Sequence, residues 1–201
     1  MDDCEKGKTC YESVAAALKG AVRVYGSQNA KDIKDYSPNR NGMIDLAEMA
    51  SNDDSHFSIL RGAKDPDRFT TVEAAAALFS ATAEQGASIT VTSASLESGR
   101  GAWQHPVSHG FPNAAIDFRY LDARAQDLIG DAAASQADVS RMRELFSLFG
   151  AWGFNQTVSG RPAAFGTGPK DVMSQTGRAL VGGHQNHGHV GIVERLRPPR
   201  R

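Results

Sequence analysis

The chain has 201 residues, of which 40% are hydrophobic and 22% charged, with a formal net charge of −1. Such a length and composition suit one domain, or one domain with a small appendage, and supply enough apolar residues to bury a core. The near-zero charge excludes a global field favouring nucleic acid or an anionic membrane, and no apolar run approaches the roughly 20 residues needed to cross a bilayer. In chain order, the opening MDDCEKGKTC lacks the basic-then-apolar pattern of a signal peptide. The expectation is that the chain stays inside, has had a leader replaced, or is exported by another route. Cys4 and Cys10, with five residues between them, either close a small disulfide loop or remain two thiols. A first helix is expected from Val14, Leu18, Ala21, Val22 and Tyr25 on one face, with Gly26 as its stop.

Further on, Ser37–Glu48 reads SPNRNGMIDLAE. It resembles an EF-hand calcium loop, with Ser37, Asn39, Asn41, Met43, Asp45 and Glu48 as the candidate ligands and Gly42 at the turning position. Serine where that motif has Asp leaves two carboxylates, so weak calcium binding and an ion-free loop of the same shape both stay open. DPDRF, Asp65–Phe69, reads as a junction. The chain then divides into a helical N-terminal region, 1–67, and a second region, 68–201.

The second region opens on a capping signal, Thr70 with Glu73 three residues later, before an alanine-rich helix to about Gln85 that Gly86 ends. Ser88–Thr92 reads as a strand from its β-branched residues. A Ser/Gly-rich loop follows to about Pro112, and Ala114–Tyr120 reads as a second strand. Asp138 is placed to cap a helix running through Leu145 and Phe149. Thr157–Lys170 is rich in Gly and Pro and reads as a long loop; His187–Leu196 alternates as a last strand, and Arg195–Arg201 reads as a frayed basic tail. Helices followed by a strand-rich core predict an α+β fold, a small antiparallel sheet flanked by helices.

Five of the six histidines fall in two clusters: His105 and His109, then His184, His187 and His189. Histidine is the commonest neutral metal ligand near pH 7. Asp117 lies in a predicted strand between Ile116 and Phe118, which share the opposite face. A carboxylate there is costly unless it is paired or bound to a metal, or the face is wet. His187 and His189 sit on one side of a strand, about 7 Å apart. Three protein ligands plus water is the pattern of a catalytic zinc. Such an ion polarises a carbonyl and acidifies its water, while a further histidine moves the proton.

SHGFPNAAID, Ser108–Asp117, followed by HQNHGHV, His184–Val190, resembles the LAS-type metallopeptidases (lysostaphin, D-Ala-D-Ala peptidases, sonic hedgehog). Within that group it is similar to the penicillin-insensitive murein endopeptidases, whose late motif has the form H-x-x-H-x-H. The stretch SITVTSASLESGRGAWQHPVSHG also resembles the strand and loop that lead to the first ligand. The resemblance covers roughly residues 86–194. It implies zinc held by His109, Asp117 and His189, with His187 as general base or transition-state stabiliser and His184 as second choice. It implies that Arg100 touches substrate, although a solvated loop arginine has the same sequence. Trp103 is a candidate cleft wall, and Ser108 a backbone support. Seven residues, Gly110–Ile116, separate His109 from Asp117 where the family has six; a loop bulge accommodates the extra one, and His105 is the fallback ligand.

The expected activity is therefore hydrolysis of peptidoglycan peptides, as endopeptidase or carboxypeptidase. The alternative is a non-catalytic zinc- or calcium-binding interaction module on the same fold. A wall-cutting enzyme without a leader is expected to act in the bacterial periplasm or cell wall, as an antibacterial effector or a phage lysin. An effector would have an immunity protein and a secretion apparatus as partners. Neither nucleic acid nor membrane insertion is expected.

Overall fold

The computed structural model describes residues 38–51, 56–101, 109–110, 114–167 and 183–192. The first expected helix, Cys4, Cys10, Ser37 and the basic tail lie outside these residues. The fold is α+β. A five-stranded sheet has the order β2 (Phe57–Ile59), β4 (Ile89–Ser93), β5 (Ile116–Phe118), β7 (Gly188–Gly191), β6 (Gln156–Val158). A two-stranded antiparallel ribbon pairs β1 (Met43–Asp45) with β3 (Phe69–Thr71). The sheet is mixed, not wholly antiparallel as expected: β2 runs parallel to β4, and the other neighbours are antiparallel. Among the described residues, no helix is long and apolar enough to cross a membrane.

Helix α1 (Leu46–Ala50) follows β1 directly, with Asp45 as its cap. The alanine-rich helix α2 is Val72–Gln85, and Gly86, at φ +72°, ends it in a left-handed cap. Its N-cap is Thr71, whose side chain accepts from the Ala74 N–H, and not Thr70. Both threonines lie in β3, Thr70 opposite Ile44 and Thr71 opposite Met43, and the helix starts straight after Thr71. A short helix, α3 (Ala133–Gln136), precedes α4 (Val139–Ala151), which Asp138 caps through the Arg141 N–H at 2.8 Å. Met142, Leu145, Phe146 and Phe149 form its buried stripe. The expected loop at Thr157–Lys170 instead contains the end of β6 and a proline-started helix, α5 (Pro162–Phe165). The expected last strand is described only as far as Ile192.

The core orients the middle of the sheet. Phe118 meets Phe146 and Phe149 with ring centroids 5.6 and 5.2 Å apart, and Phe146 stacks on Phe165 at 6.2 Å. Burying Phe118 contributes roughly 1.5–3 kcal/mol and commits one face of β5 to the core. Gly188, opposite Phe118, completes the packing: a Cβ there would lie 2.7 Å from the Phe118 ring. Asp117 is left on the other face.

Strands from the two sides of position 67 pair with each other, β1 with β3 and β2 with β4. Arg68 Nε lies 2.9 and 3.0 Å from the two oxygens of Asp45, and its NH1 donates to the Asp65 carbonyl at 2.9 Å. The loop read as a calcium site has other partners. Asn39 Oδ1 accepts from the N–H groups of Asn41 (2.8 Å) and Met43 (3.0 Å). The amides of Asn39 and Asn41 both donate to the Glu97 carbonyl at 3.1 Å. The Met43 carbonyl accepts from the Asn39 N–H, Asp45 binds Arg68 and caps α1, and Glu48 is exposed on α1. Asn39 and Asn41 thus form an Asx-type turn clamped onto the Leu96–Arg100 loop. Asn39→Ala is expected to cost about 1–2 kcal/mol. Its melting temperature should fall equally with and without added calcium, and calcium should leave the unmodified protein's melting temperature unchanged.

Candidate metal centre

The pairing of β5 with β7 sets Asp117 directly opposite His189, so the two side chains share a face. His189 Nδ1 lies 2.7 Å from Asp117 Oδ1. His109 reaches the same carboxylate from the loop after β4, with Nε2 3.3 Å from Asp117 Oδ2. Its backbone is held at its carbonyl by the buried Ser95 hydroxyl, and Ser95 pairs through its own N–H and carbonyl with Phe69 at 2.7 and 2.9 Å. Between His109 and β5 the chain passes through Ala114 at φ +37°, a turn disfavoured for a residue with a Cβ. Among the described residues, His109, Asp117 and His189 are the group whose ligand atoms could share an ion, all lying within 4.8 Å of one another. Their exposures are 0%, 3% and 5%.

The outward nitrogens of the two histidines face carbonyl oxygens. His109 Nδ1 lies 3.0 Å from the Ala94 carbonyl, and His189 Nε2 lies 3.4 Å from Gln156 Oε1. A proton on each outward nitrogen leaves the inward one a lone pair for an ion. One carboxylate and two imidazoles, buried and convergent, fit a divalent first-row ion; they are compatible with zinc and not specific for it.

The electrostatics show what the site holds without metal. Burial pushes the Asp117 carboxyl up, but the His109 charge and hydrogen bonds from His109 and His189 outweigh it, and the group sits well below the usual carboxylate range. Burial pushes His109 down; the Asp117 charge and its hydrogen bond, then the Ala94 carbonyl, outweigh it, and the imidazole is raised. Each shift favours the charged form of its group, because the two lie side by side out of water.

The rest of the second cluster lies alongside. His187, half-buried, has Nε2 3.7 Å from Asp117 Oδ2, and its Nδ1 is 2.6 Å from Asn186 Oδ1. The buried His184 ring is 4.7 Å from that of His187 and 5.4 Å from that of His189. Tyr120 anchors this corner: its hydroxyl donates to the His184 carbonyl at 2.8 Å and accepts from the Gly160 N–H at 3.0 Å. Burial raises the phenol, which stays protonated. A Cβ on Gly160 would lie 2.7 Å from that same carbonyl. Arg100 is exposed at the end of the Leu96–Arg100 loop, its carbonyl accepting from the Leu96 N–H at 2.9 Å. His105, Trp103 and Ser108 lie outside the described residues.

Sequence reading did not single out Gln156, Ser95, Tyr120 or Asn186. Gln156 stands just before the presumed loop, ahead of the β-branched pair Thr157 and Val158. Comparison with protein-family models, curated proteins and solved structures finds no match to this chain.

Two outcomes are expected. His109, raised above 6.5, adds stability that is fully present below that value and is lost as pH rises through its folded-state value. Asp117, lowered from 3.8, adds stability present above that value and lost as pH falls through its folded-state value. Chelator-treated protein should therefore melt at a lower temperature at about pH 9 than at about pH 6, and zinc should lift the alkaline value most. Separately, Asp117→Ala and Asp117→Asn should both lose stoichiometric zinc by elemental analysis; retention of one zinc per chain would remove Asp117 from the ligand set.

Proposed function

We propose that this chain is a zinc-dependent peptidase hydrolysing peptide cross-links of peptidoglycan. The observation that carries the reading is the convergence of His109, Asp117 and His189 within 4.8 Å, with His187 facing the same carboxylate. Three protein ligands match a catalytic zinc with a coordination position left for water or substrate. The choice of peptidoglycan rests on the resemblance of SHGFPNAAID and HQNHGHV to the LAS-type peptidases.

Bound zinc would supply Lewis-acid polarisation of the scissile carbonyl and activation of water. The chain's own residues do the rest. His109, Asp117 and His189 hold the ion, and the pairs with Ala94 and Gln156 aim the two imidazoles. Asn186 accepts the Nδ1–H of His187, which leaves Nε2 with the lone pair. That nitrogen takes the proton of the attacking water and returns it to the leaving amine as the C–N bond breaks. His184 packs against His187 and fixes its ring. Arg100 would receive a substrate carboxylate from its exposed loop. Action in the periplasm or cell wall, as an effector or lysin, follows from the same substrate class, and an effector would be matched by an immunity protein.

Purified protein is expected to release soluble muropeptides from peptidoglycan, with the bond cut identified by mass spectrometry and the reaction stopped by a chelator. His187→Ala should lower the rate by about 10²–10⁴-fold while keeping stoichiometric zinc. Zinc binding without cleavage by the unmodified protein would favour the non-catalytic module instead.

A further inference from the structure

His189 can serve as a ligand only if its proton is on the nitrogen away from the metal. A neutral imidazole has one N–H and one lone pair, and the partners at each end decide which is which. Here the ends compete. Asp117 Oδ1, 2.7 Å from Nδ1, attracts a proton to the nitrogen that must bind the ion. Gln156 Oε1, 3.4 Å from Nε2, attracts it to the other. Gln156 reaches that position because β6 pairs antiparallel with β7, Val158 opposite His189 and Gln156 opposite Gly191. Its carboxamide is one strand over and diagonal to the ring. The equivalent task at His109 falls to a main-chain oxygen, Ala94, which no substitution removes.

We propose that Gln156 is a positioning residue that selects the Nε2–H tautomer of His189 and thereby presents Nδ1 to the metal. The proposal rests on the zinc reading of the site and adds to it a residue outside the ligand set. Gln156 is half-buried and its oxygen, not its nitrogen, faces the ring. A carboxylate at that place would accept the same N–H more strongly, and an alkyl side chain could not accept it at all.

The test is zinc affinity, measured by competition with a chromophoric chelator, for the unmodified chain, Gln156→Ala and Gln156→Glu. Gln156→Ala should bind zinc about tenfold more weakly, toward the lower end of the usual effect of such partners, and Gln156→Glu should match or exceed the unmodified chain. Nitrogen-15 imidazole spectra of the zinc-loaded protein should show a protected Nε2–H on His189 that Gln156→Ala loses. Affinity of Gln156→Ala within about twofold of the unmodified chain, against the tenfold expected of such a partner, would overturn the proposal. Equal weakening in Ala and Glu variants would overturn it too, since it would mark a packing role. Unmodified protein that binds zinc while Gln156→Ala binds equally well defeats this inference alone; unmodified protein that binds no zinc defeats the metal reading together with it.

Discussion

A carboxylate sealed from solvent in the middle of a sheet demands compensation, and the Asp117 side chain receives it from imidazoles on three sides. His109 and His189 lie within 3.3 Å of its two oxygens and His187 within 3.7 Å. Desolvating a lone ionised carboxyl costs several kcal/mol even after relaxation. The surrounding elements are therefore organised to bring imidazole nitrogens to it, and the same convergence could hold a divalent ion.

The packing behind the sheet is what makes this face available. Phe118 locks into Phe146 and Phe149, so its neighbour in β5 has one direction left. Gly188 lets β7 cross closely over Phe118, which keeps the register that sets His189 against Asp117. His189 within β7 and His187 just before it then both reach the carboxylate, one at each oxygen. The His184 corner is closed independently, by a buried phenol that ties its carbonyl to Gly160.

The polar first region is joined to the site through the ribbon: β1 pairs with β3, Phe69 of β3 pairs with Ser95, and Ser95 holds the carbonyl of His109. Asn39 and Asn41 clamp Glu97 in the loop that carries Arg100. Asn39 and Asn41 thus brace the loop that leads toward His109. That role uses the turn-forming chemistry of Asn and Gly without requiring the carboxylates that calcium does.

Periodicity made a good part of this legible in advance. The alternation Ile116, Asp117, Phe118 put the acid alone on its face; the spacing of His187 and His189 put both on one side; Asp138 and Gly86 marked helix ends. These are local rules, set by backbone geometry and by the few side chains that cap. Local rules were silent or misleading where pairing partners are distant in the chain. The capping signal was placed on Thr70, whereas Thr71 caps α2 at the end of the ribbon with β1. Three residues are too short a strand to stand out from a Gly/Pro-rich stretch, so β6 and Gln156 went unread. The oxygens facing the outer nitrogens of His109 and His189 are a main-chain carbonyl, which has no letter in a sequence, and an amide 33 residues from its histidine. The amino-acid sequence by itself determined which residues have metal-binding chemistry and which face each takes. Only the tertiary structure decided that they share one carboxylate, because strand register and core packing are set by contacts between segments far apart in the chain.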